Sequence, residues 1–117
     1  MVVDDAADAR FLIRLSLEEH EDVRVVAEAD GAEAALSQID AAAPDVALLD
    51  ARMPVTDGFE LCAALLERRA DLRVAILTSM VDEVVERRAA EAGAVRAVSK
   101  GDFPGLGALV RSLAGSG

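Results

Sequence analysis

Residues 46–54 read Val46-Ala47-Leu48-Leu49-Asp50-Ala51-Arg52-Met53-Pro54: four apolar side chains in succession, then a carboxylate, then a loop punctuated by proline. A strand with one wet face alternates apolar with polar residues, whereas a strand covered on both faces reads as an unbroken apolar run. The stretch therefore predicts a short strand over Val46–Leu49, inside a sheet that carries helices on both sides. Runs of the same kind recur at Met1–Val3, Val23–Ala27, Val74–Leu77 and Val95–Val98, each followed by a longer segment of helical period. Five strand–helix pairs predict an α/β fold built on a doubly wound, five-stranded parallel sheet.

The helical segments show apolar stripes at three- and four-residue steps. Phe11, Leu12 and Leu15 form the expected inward face of the first helix, Leu36 and Ile39 that of the second, which runs from about Ala32 to Ala42. Phe59, Cys62, Ala63 and Leu66 do so in the third, Val81, Val84 and Val85 in the fourth, and Leu106, Leu109, Val110 and Leu113 in the last. Gly31, Pro44, Pro54, Gly58, Gly93 and Gly101 fall at the joins, where turn chemistry places them. One domain over residues 1–114 is expected, with 115–117 a flexible tail or the start of a linker.

The 117 residues suffice for one core, and 53% apolar with 29% charged residues is the balance of a folded domain. A formal net charge of −10 argues against direct contact with nucleic acid phosphates or an anionic membrane, so DNA binding would need an output domain outside this chain. The acidic start is unlike a signal peptide, and no apolar run approaches the roughly 20 residues of a membrane span. Cys62 is a lone cysteine on an inward stripe, expected as a packed thiol, and a cytoplasmic setting fits its isolation. His20 is expected at the surface by a helix end, and Gly105 with Gly107 lacks the preceding strand of a dinucleotide loop.

Ligands of open parallel sheets sit beyond the carboxyl ends of the strands. There the sequence places Asp4 and Asp5, Asp50, Thr78 and Ser79, and Ser99 and Lys100. Three gathered carboxylates repel unless they share a cation, and a hard divalent ion such as Mg²⁺ takes oxygen ligands and completes its shell with water or phosphate oxygens. Asp50, alone at the end of a central strand, is the candidate nucleophile for phosphoryl transfer, and Lys100 is the compact cation for a phosphoryl oxygen. It is the single lysine beside eleven arginines.

Val2-Val3-Asp4-Asp5, Leu48-Leu49-Asp50 with Met53-Pro54 and Asp57-Gly58, Leu77-Thr78-Ser79, and Lys100 together resemble the receiver domain of bacterial two-component response regulators, from Met1 to about Ala114. The resemblance implies a flavodoxin-like (β/α)5 fold with strand order 2-1-3-4-5. It implies that Asp50 accepts a phosphoryl group from the phosphohistidine of a sensor histidine kinase, and that Asp5, Asp50 and the backbone carbonyl of Arg52 bind Mg²⁺, with Asp4 acting largely through water. Thr78 and Lys100 would touch the phosphoryl oxygens, and homodimerisation on phosphorylation is a further implication. So is a role in transcription through a helix-turn-helix output, suggested by Lys100-Gly101-Asp102. On this reading the chain is no enzyme beyond its own phosphorylation and dephosphorylation. Two departures stand out: Ala97 replaces the family's frequent switch aromatic, and Gly101 replaces the proline that often follows the lysine, which predicts a trans bond there. Ala97 sustains an alternative, a receiver-shaped interaction module that works without phosphorylation.

Overall fold

The computed structural model describes residues 1–101 and 103–115. Its elements run β1 (Val2–Val3), α1 (Ala7–Glu18), β2 (Glu28–Ala29), α2 (Ala32–Ala42), β3 (Val46–Asp50), α3 (Gly58–Arg68), β4 (Arg73–Thr78), α4 (Glu83–Ala92), β5 (Arg96–Ser99) and α5 (Phe103–Ala114). All neighbouring strands pair in parallel, in the order β2-β1-β3-β4-β5. The apolar run quoted first is buried throughout, and its pleat divides the core. Ala47 and Leu49 join Ile39, Leu61 and Leu65 beneath α2 and α3, while Val46 and Leu48 join Ile13, Leu17, Leu106 and Leu113 beneath α1 and α5. No helix among the described residues is long and apolar enough to cross a membrane. Asp102, Ser116 and Gly117, which carry part of the Lys100-Gly101-Asp102 reading and most of the expected tail, lie outside the described residues.

The second strand differs from its expected span. β2 is Glu28–Ala29 and not Val23–Ala27, because strand identity requires a partner, and β1 offers one only to Glu28 and Ala29. Val23 and Val25 instead pack, half-buried, against the α1 and α5 side of the core, and Val26 is exposed.

Three helix faces also differ. Phe11, Leu12 and Leu15 are 50%, 48% and 44% exposed, and α1 is seated through Ile13 and Leu17. Both sets have helical spacing, on two faces of a helix that carries apolar residues on each, so periodicity alone could not choose between them. Val81, expected on the fourth helix, lies exposed before it; in α4 itself Val84 faces solvent, Val85 is partly buried against the core, and Ala89 is the residue that α4 buries. In α3, Ala63 is exposed and Leu66 half-buried, while Leu61 and Leu65 join Phe59 and Cys62 in the core. Cys62 is buried as expected, and that burial pushes its thiol up to about 11. His20 is half-buried, its ring lying against Gly107 of α5 where any Cβ would collide with it, which gives that glycine a packing reason.

Candidate functional site

Asp50 ends β3, Thr78 ends β4, Asp4 follows β1 and Lys100 follows β5, so four adjacent strands deliver them to one rim of the sheet. The ladder continues into the site: Asp4 N–H donates to the Ala29 carbonyl at 3.1 Å, and Lys100 N–H to the Thr78 carbonyl at 2.7 Å. Gly58 matters here for space. The first turn of α3 abuts the Asp50 carbonyl so closely that a Cβ on Gly58 would collide with it, and Gly58 N–H bonds the Ala51 carbonyl at 3.0 Å. In the sequence Gly58 reads as turn punctuation and as half of the Asp57-Gly58 pair, with no sign of this close approach. The adjoining Asp57-Gly58 pair, with Asp57 capping α3 through Glu60 N–H at 2.9 Å, is the signal that marks the start of this helix.

The three acids expected to meet do meet. One carboxylate oxygen from each of Asp4, Asp5 and Asp50 lies within 4.8 Å of the others. The Lys100 ammonium stands 2.6 Å from Asp4 Oδ2 and 3.3 Å from Asp50 Oδ2. Asp4 Oδ1 accepts from Ala6 N–H at 2.9 Å, while its buried Oδ2 lies against the Lys100 ammonium. Asp50 Oδ1 accepts a long bond from Arg52 N–H at 3.4 Å. Burial, then the neighbouring Asp4 charge, raises the Asp50 carboxyl above the usual carboxylate range, with Lys100 opposing them. Burial alone would lower Lys100, yet its contacts with Asp4 and Asp50 outweigh that and raise it, so the ammonium stays charged.

Three gathered carboxylates with one ammonium beside two of them leave an excess of negative charge at the rim. A divalent cation with a preference for oxygen fits that donor set. Thr78 lies at the same rim, but its hydroxyl is turned toward the β4–α4 loop. It donates to the Met80 carbonyl at 3.2 Å and accepts from Met80 N–H at 3.4 Å. Ser79 and Met80 are exposed beside it. Arg52 and Met80 face each other across a cleft of about 600 Å³ that also involves Phe59, Asp82, Val84 and Arg88. At the tip of the β3–α3 loop, fully exposed Val55 has φ +70°, a left-handed backbone that a β-branched residue rarely adopts. Nothing in its sequence neighbourhood announced this. The Lys100–Gly101 bond is trans, as no cis peptide occurs among the described residues.

A family model described as the response regulator receiver domain matches residues 1–110. The chain belongs to the response regulator receiver family. Its receiver fold superposes on the signal receiver domain of NarL from Mycobacterium tuberculosis with a TM-score of 0.91 and 32% identity, covering 99% of this chain and 94% of that one. The DNA-binding transcriptional activator DevR/DosR of Mycobacterium tuberculosis is 45% identical over 82 residues, 70% of this chain and 37% of that protein. A protein-glutamate methylesterase/protein-glutamine glutaminase of Cereibacter sphaeroides is 39% identical over 118 residues, 97% of this chain and 32% of that protein. The receiver thus spans about a third of these two curated relatives and about half of others, among them the response regulator GacA of Pseudomonas aeruginosa.

Proposed function

We propose that Asp50 is the phosphoacceptor of this receiver, with Lys100 and Thr78 serving the phosphoryl oxygens and Mg²⁺ held by Asp5, Asp50 and the Arg52 carbonyl, Asp4 acting largely through water. The observation that carries this reading is the gathering of three carboxylates, two of them against one ammonium, at the carboxyl end of the sheet. When bound, the metal supplies charge neutralisation for the phosphoryl oxygens. An Asp50 oxygen attacks phosphorus, the bond from phosphorus to the donor's imidazole nitrogen breaks, and the electron pair leaves with that nitrogen, which takes up a proton. Lys100 lies beside the attacked centre as a fixed positive charge. Thr78 must turn its hydroxyl away from Met80 to reach a phosphoryl oxygen, and that turn couples the site to the loop leading into α4. The donor is a sensor histidine kinase, and the exposed apolar residues Phe11, Leu12 and Leu15, on the helix that follows Asp4 and Asp5, are a surface available to such a partner. The cell compartment is the cytoplasm, and the receiver's only chemistry is its own phosphorylation and dephosphorylation. Its output lies outside this domain: similarity to a DNA-binding activator supports a transcriptional output, in which DNA is reached through a separate domain and phosphorylation favours a homodimer.

The test is incubation with Mg²⁺ and acetyl phosphate followed by intact mass. One phosphoryl group is expected on the wild type, none on Asp50→Asn, and an unaltered adduct on Asp40→Asn. A second reading, binding without phosphorylation, draws on Ala97: half-buried opposite Ile76 in the β4–β5 ladder, it offers no ring whose rotation could follow Thr78. An unmodified wild type would select that reading.

A further inference from the structure

We infer that Arg10 is a positioning residue for the metal-binding acids, fixing the peptide between Asp4 and Asp5 and so aiming the Asp5 carboxylate; this rests on the Mg²⁺ reading above. Asp4 is held on three sides. Its N–H is in the ladder with Ala29, its Oδ1 takes Ala6 N–H, and its carbonyl accepts from Arg10 Nη1 at 2.6 Å. Asp5 is exposed, so what the fold can fix is the backbone from which its side chain departs. The Asp4 carbonyl and the Asp5 N–H share one planar peptide unit, and a guanidinium that pins the carbonyl also sets the plane from which the Asp5 side chain departs.

Arg10 is itself anchored. Its Nε lies 3.9 Å from Glu28 Oε1, and the other Glu28 oxygen is 3.3 Å from Arg14 Nη1. Glu28 sits on β2 directly opposite Val2 of β1, and its carbonyl accepts from Gln38 Nε2 at 3.2 Å, so the anchor belongs to the sheet. Glu28 also offsets the charge of Arg10, which would otherwise compete with a cation at the acids. The arrangement is the outer support that metal-binding carboxylates need to hold their geometry.

The sign of the effect separates positioning from simple charge. A guanidinium acting only as a nearby positive charge weakens Mg²⁺ binding, so its removal would tighten binding, and added salt would erase the difference. A guanidinium that holds the turn strengthens binding, so its removal weakens it.

The experiment is a Mg²⁺ titration of the whole chain followed by ¹H–¹⁵N NMR, on wild type, Arg10→Met, Arg10→Lys, Glu28→Gln and the Arg10→Met/Glu28→Gln double variant. Arg10→Met is expected to raise the Mg²⁺ dissociation constant about fivefold or more. Arg10→Lys, which keeps the charge without the fork, and Glu28→Gln should each raise it less, and the double variant should match Arg10→Met alone, because Glu28 acts through Arg10. Melting in metal-free buffer should change by no more than a few degrees, whereas a merely structural role would lower it and leave the dissociation constant in place. An unchanged or tighter constant for Arg10→Met, or additive effects in the double variant, overturns the inference. If wild type and Asp5→Asn respond alike and without saturation, the Mg²⁺ reading falls and takes this inference with it.

Discussion

Helices α3 and α4 begin alike and are held differently. Each is capped by an aspartate that accepts an N–H three residues on, Asp57 from Glu60 at 2.9 Å and Asp82 from Val85 at 2.8 Å. Yet α3 sinks Gly58, Phe59, Leu61, Cys62 and Leu65 into the core, whereas α4 sinks Ala89 and leaves Val84 54% exposed. What ties α4 to its neighbour on the surface is Arg88, whose guanidinium lies 4.2 Å from the Phe59 ring centre and 3.2 Å from Asp57 Oδ2. The difference teaches that capping fixes where a helix starts, while burial fixes whether it can move. Beside Asp50, α3 is welded through broad apolar contact, whereas α4, which follows the Thr78 loop, has a small apolar seat at Val85 and Ala89 and a larger share of surface contacts that can be remade.

Two glycines give the sharpest way to break this contrast. Gly58→Ala should cost about 3 kcal/mol in denaturant unfolding, because its Cβ meets the Asp50 backbone, which cannot yield. Gly93→Ala, at the end of α4 with φ +94°, should cost about 1–2 kcal/mol, because left-handed strain is joined only by the movable Leu66 side chain. Equal costs would mean that α4 is as firmly seated as α3.

A smaller effect concerns the Asp50 carboxylate at the foot of α3. The folded protein raises the Asp50 carboxyl, chiefly through burial and secondarily through Asp4, so the charged form is worse off folded than unfolded. A raised folded-state value adds stability below the ordinary carboxylate range, and that stability is lost as pH rises through the folded-state value. Asp50→Asn should therefore raise the metal-free melting temperature by a few degrees at pH 7, and the gain should shrink as pH falls toward 4. A lower melting temperature at pH 7 would show that the Lys100 contact outweighs burial.

The smallest expected effect sharpens the contrast from the α4 side. Arg88→Met should leave α3 amide exchange unchanged and speed exchange in α4 about fivefold, the equivalent of about 1 kcal/mol for an exposed cation–π contact. Exchange that rises in both helices together would show that they open as one unit.

The sheet was legible because parallel strands buried on both faces announce themselves: Val46–Leu49 and Val74–Leu77 needed only composition. The acids were legible because each follows such a run. Periodicity failed on α1, where Ile13 and Leu17 compete with Phe11, Leu12 and Leu15 for the inward face, and nothing local decides which set the sheet receives. It failed at Val23–Ala27 because pairing belongs to two segments at once, and β1 reaches only Glu28 and Ala29. The part played by Arg10 was invisible for a related reason: its partners, Asp4 and Glu28, lie on two different strands, and no spacing along the chain encodes their meeting.

Lys100 carries the only side-chain amine in a protein that has neither tryptophan nor tyrosine. Reductive ¹³C-methylation would therefore install a single side-chain reporter, placed between the two carboxylates whose occupancy matters most. Its resonance, read beside that of the methylated Met1 amine, would test for cation loading and acyl phosphate formation directly, in a domain otherwise nearly silent to ultraviolet optics.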